Sequence, residues 1–83
     1  MLNYGVNYQN LRIINRNRLE IIDNLSILIN KQTFECSITE ITPKYIYFDI
    51  DNIGLIQPNK TTKYEYILTA DETIIDKGYI QIN

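Results

Sequence analysis

Residues 33–39 and 44–50 alternate apolar and polar side chains without a break, and that period of two commits the chain to β-structure. In the first run Phe34, Cys36 and Ile38 share one face, and Glu35, Ser37 and Thr39 share the other. In the second run Ile46, Phe48 and Ile50 point inward. Ile41-Thr42-Pro43 separates the two, and its proline has no N–H to give a ladder, so the pair reads as an antiparallel hairpin. Upstream, Leu25, Ile27 and Ile29 alternate with Asn24, Ser26 and Leu28, and Asn30-Lys31-Gln32 turns into the Phe34 strand.

Downstream, residues 63–69 carry Tyr64, Tyr66 and Leu68 on one face. Ala70-Asp71-Glu72-Thr73 is a turn, and residues 74–82 return with Ile80 and Ile82 inward. Gly78 marks a bulge or a backbone crossing. Residues 11–22 read as a strand pair, or one bent strand, around Asn15-Arg16-Asn17-Arg18. The adjacent pairs Ile13-Ile14 and Ile21-Ile22 leave their faces ambiguous, as a bulge would. Residues 1–10 are polar, rich in Tyr and Asn, and without a period. They read as an extended arm that docks on a neighbouring chain or closes an edge of its own sheet. The expected organisation is therefore an arm at 1–10 and one domain at 11–83. That domain is all-β: a small antiparallel β-sandwich, immunoglobulin-like, of about six or seven strands. The expected core is Leu25, Ile27, Ile29, Phe34, Cys36, Ile38, Ile46, Phe48, Ile50, Tyr66, Leu68, Ile80 and Ile82.

At 83 residues the chain is one domain's worth. A domain of this size buries roughly 60–65% of its unfolded surface. Its core alone rarely supplies more than about 3–5 kcal/mol of net stability. Such domains commonly add a staple. Cys36 is the only cysteine and histidine is absent, which leaves neither an internal disulfide nor a structural zinc site. Association with another chain is the staple left open. A net charge of −2 argues against nucleic acid, which demands clustered cations. No apolar run reaches membrane-spanning length, and the first ten residues lack the basic and apolar regions of a signal peptide. The expectation is a protein made in the cytoplasm and not secreted, so the sequons at Asn24 and Asn59 are chance matches.

Candidate chemistry is sparse. Residues 49–54 begin like a calcium loop, but Ile53 and Lys60 stand where oxygen ligands belong, so a polar turn fits better. Cys36 lacks a base and sits on an apolar strand face, which suits a buried thiol and not a nucleophile. Glu35, Glu40, Asp49 and Asp51 could form an acid–base pair, yet outward strand faces are ordinarily charged. With no histidine, metal motif or phosphate loop, no enzyme activity and no cofactor are expected. Arg12, Arg16 and Arg18 make the one basic cluster, either a docking patch for an acidic partner or a solvated face. With Tyr4 and Tyr8 of the arm, they are the candidate partner-binding residues.

Two resemblances bear on these residues. In 55–66 an apolar residue, Pro58 and then Tyr64 entering a strand resemble the tyrosine corner of type III fibronectin sandwiches, with a longer gap. Tyr64-Glu65-Tyr66-Ile67-Leu68, a polar turn and Ile75-Asp76-Lys77-Gly78-Tyr79-Ile80-Gln81-Ile82 resemble the closing hairpin of small immunoglobulin-like proteins of tailed bacteriophages. In size and texture the chain is similar to head auxiliary (capsid decoration) proteins of crAss-like phages. The resemblance implies a structural accessory protein of the virion, bound to the major capsid protein on the head exterior, with self-association as a further partner expectation. A small intracellular adaptor is the alternative, and a small enzyme the remote one.

Overall fold

The computed structural model describes residues 9–51 and 62–82. Six strands follow in chain order: β1 (Leu11–Ile14), β2 (Leu25–Ile29), β3 (Gln32–Ile41), β4 (Tyr45–Ile50), β5 (Thr62–Ala70) and β6 (Thr73–Ile82). All pair antiparallel in one sheet, in the order β1-β4-β3-β2-β5-β6. The sheet curls. β1 and β6 end the order at opposite sides, yet Ile13 and Ile14 border the same cleft as Ile74 and Ile75. The result is the small antiparallel sandwich- or barrel-like fold that the alternation predicts.

Register follows from which side chains must leave water, because a one-residue slip would turn every core residue outward. Ile27 stands opposite Phe34 on one side and Leu68 on the other. Phe48 stands between Leu11 and Ile38. Ten of the expected core residues are buried: Leu25, Ile27, Ile29, Phe34, Ile46, Phe48, Ile50, Tyr66, Leu68 and Ile80. Cys36 and Ile38 are half-buried against that cluster, and the side chain of Ile82 lies outside the described residues. Leu11, Ile13 and Ala70 join the core.

Two bulges set the parity. On β3 the register shifts between Ile38 and Glu40, so Thr39 is the extra residue and Ile41 returns inward opposite Ile46. On β6, Leu68 faces Asp76 while Thr69 faces Ile74, which makes Ile75 the extra residue. The bulge expected at Gly78 is thus at Ile75. Gly78 instead lies opposite Tyr66, where a Cβ would meet the Tyr66 ring at 3.2 Å.

The expected pairing within 11–22 does not form. Leu11–Ile14 is a strand, and no strand is assigned over residues 15–24. Asn15 is 4% exposed, and its side chain binds the backbone of Leu19 there. The adjacent isoleucines split without a bulge: Ile13 is buried and Ile14 is 56% exposed. Residues 1–8 of the expected arm, the calcium-like loop from Asn52 onward and the loop half of the tyrosine-corner segment lie outside the described residues.

Two hairpins turn through two residues each. Asn30 and Lys31 have φ of 50° and 63°, and Asp71 and Glu72 have 47° and 71°. Positive φ at both central residues is the type I′ geometry, whose twist matches that of the strands it joins. Asp71 also braces the start of β2: its carboxylate accepts the Asn24 N–H at 2.8 Å and the Asp23 N–H at 3.1 Å.

Candidate protein-docking site at the open seam

Among the described residues β1 pairs only with β4, and β6 only with β5. Their free edges border a cleft of about 420 Å³. From β1 and the residues after it come Arg12, Ile13, Ile14 and Arg16; from β6 come Ile74, Ile75, Asp76 and Lys77. Strand parity assigns the side chains. Arg12 and Ile14 alternate outward from buried Leu11 and Ile13. On β6 the Ile75 bulge sends Asp76 inward opposite Leu68 and leaves Ile74 and Lys77 outward.

Arg16 owes its place to Asn15. The Asn15 side-chain amide donates to the carbonyls of Leu19 and Thr42, each at 2.9 Å, and its oxygen accepts the Leu19 N–H at 2.9 Å. The Asn15 backbone N–H donates to the Lys44 carbonyl at 2.9 Å. One buried amide therefore ties the turn after β1 to the β3–β4 connection, with Arg16 at its shoulder. Arg12 lies over the Tyr45 ring, 4.9 Å from the centroid, and Lys44 approaches the same ring at 5.4 Å. Such stacking holds a guanidinium near the strand without neutralising it.

The inner wall of the seam is polar. The Tyr66 hydroxyl donates to the Asp76 carboxylate at 2.6 Å. Burial, first, and then the hydrogen bond and charge of Asp76 push the phenol well above its ordinary pKa, while the positive charge of Arg16 pulls it back. Asp76 is thus engaged from inside. Arg12, Arg16 and Lys77 border the cleft, with Asp76 the one acid among the described residues that border it. The seam is locally positive on a chain of net charge −2.

Of the partner-binding residues read from the sequence, Arg12 and Arg16 come together here. Arg18 is exposed in the following turn, with φ of 51°, and does not border the cleft. Tyr4 and Tyr8 lie outside the described residues. Lys77 was not singled out, and nothing near it in sequence marks it, because it reaches Arg12 only through the curl of the sheet.

Of the other candidate groups, Asp49 and Asp51 have hydrogen-bond partners and Cys36 is held neutral. Burial pushes the Cys36 thiol up to about 12, reinforced by the charges of Asp51 and Glu35. Asp49 accepts the Asn10 N–H at 2.8 Å, and Asp51 accepts the Ser37 hydroxyl at 3.0 Å. Glu40 stands opposite Tyr47. Among the described residues no group of three or more His, Cys, Asp or Glu side chains is placed to hold a metal ion. No protein-family model, curated protein or solved structure matches this chain.

Proposed function

We propose that this chain is a non-enzymatic structural accessory protein of a bacteriophage particle, docked through its β1–β6 seam on the major capsid protein at the head exterior. The observation that carries the docking is the meeting of Arg12, Arg16 and Lys77 at one cleft between two strand edges that have no partner strand among the described residues. The likeness of the closing hairpin to small immunoglobulin-like proteins of tailed phages, and of the chain's size and texture to head auxiliary proteins, supports the particle. Many copies on one lattice gain avidity without strong individual contacts. A thiol kept protonated at neutral pH and carboxylates taken up by backbone and side-chain donors suit a binding role better than catalysis.

An intracellular adaptor is the second reading, and a second face favours it. Leu28, Ile67 and Tyr79 on the outer side of β2, β5 and β6 lie in a groove of about 740 Å³ bordered by Lys31, Lys63 and Lys77. An adaptor needs two such faces. Mass spectrometry of purified particles separates the readings. The capsid role expects the chain at fixed stoichiometry with the major capsid protein, and reversal of Arg12 and Arg16 to Glu should deplete it. Recovery only in the particle-free fraction would overturn that role.

A further inference from the structure

We propose that the seam takes an extended acidic segment of a partner protein as an additional strand, closing the open sheet into a barrel. The proposal rests on the seam being the docking site, whichever partner brings the strand. Among the described residues neither β1 nor β6 has a strand on its outer edge, although the Ile14 carbonyl already accepts the Arg16 N–H at 3.0 Å. Both edges border one cleft, and such edges are templates for strand addition. β1 offers four residues, so the matched stretch spans about 13 Å at ~3.3 Å per residue.

Parity specifies the added strand. Its inward side chains would lie over Ile75, half-buried on the core beside buried Ile13, which calls for small apolar residues. Its outward side chains would meet Arg12 and Lys77, which calls for carboxylates. Ile14 at 56% and Ile74 at 52% exposure stand on the two outer lips, where an occupant would cover them. The one acid of the cleft, Asp76, already accepts from Tyr66. An alternating apolar–acidic segment therefore complements the seam. The chain's own residues 1–10 contain no Asp or Glu and lack that complement.

The test uses the full chain and a short labelled peptide of alternating valine and glutamate. The expected result is binding that weakens with salt, with amide exchange slowed in Leu11–Ile14 and at Ile74–Lys77. Replacing Arg12 and Arg16 by Glu should weaken binding at least about tenfold. A peptide of the same sequence with alternate amides methylated should not bind, which tests strand addition without altering the protein. Equal binding of a valine–lysine peptide, or exchange slowed elsewhere only, would overturn the proposal. So would seam protection by a peptide of residues 1–10 in preference to the acidic one, which would make the seam a contact between copies. Peptide binding without the chain in particles would fell the capsid role alone. The chain in particles without peptide binding would fell strand addition alone.

Discussion

Asn15 carries more of this structure than its place in a polar run suggests. Its side chain makes three hydrogen bonds at 2.9 Å while almost fully buried. Asn15→Ala would leave backbone groups of Leu19 and Thr42 without those partners, at a cost of about 1–3 kcal/mol. Chemical denaturation measures this, and the same variant should weaken docking by freeing Arg16. Phe48 lies at the centre of the core with no exposure. Phe48→Ala should cost about 3–5 kcal/mol, enough to unfold most of the population, as circular dichroism would show. Phe48 was legible because its neighbours alternate. Asn15 was not, since a lone amide among Arg and Asn has no period to betray burial. Asp76 was hidden differently: the extra residue at Ile75 breaks the alternation that would have placed it inward.

At the scale of elements, the two tight hairpins put lysine and glutamate where glycine fits best. Lys31 and Glu72 hold φ of 63° and 71°. A left-handed non-glycine residue costs ~1–2 kcal/mol, and the greater entropy loss of glycine takes back ~0.5–1 kcal/mol. Lys31→Gly and Glu72→Gly should each raise the melting temperature, by the equivalent of about 0.5–1 kcal/mol. At Gly78 the sign reverses. A methyl there would meet Tyr66 Cε2 and its hydroxyl oxygen at 3.2 Å. The ring would have to shift away from Asp76, so Gly78→Ala should cost about 1–3 kcal/mol. β2 to β6 were legible from alternation alone. The segment after β1 was misread because Leu19 and Ile22 are half-buried at a spacing of three, and their burial owes nothing to a ladder.

Over the whole molecule, half-buried Cys36 and buried Tyr66 tie stability to alkaline pH. Cys36 moves from 9.0 unfolded to about 12 folded, and Tyr66 also moves upward. Between those values the folded state holds more protons than the unfolded one, so stability falls as pH rises. Both contributions are fully present below pH 9.0, and that of Cys36 is lost as pH approaches about 12. Denaturation across that range should show the fall, and Cys36→Val should make it shallower. The class and approximate strand number were legible in the sequence because side-chain period reports each strand separately. The order β1-β4-β3-β2-β5-β6 was not, since it depends on which edges meet after the sheet curls. The seam inherits that blindness. Arg12 and Arg16 stood out as a basic cluster, while Lys77 joins them only through the fold.

Everything proposed about docking depends on β1 and β6 being open edges in the free chain. Residue-resolved amide hydrogen exchange tests this directly. In the isolated protein, amides of β2, β3 and β5 should exchange slowly, because each of those strands is paired on both sides. Seam-facing amides of Leu11–Ile14 and Ile74–Lys77 should exchange orders of magnitude faster. Protection there equal to that of β2 and β3 would mean the two edges are already paired in the isolated chain, and would contradict the open seam.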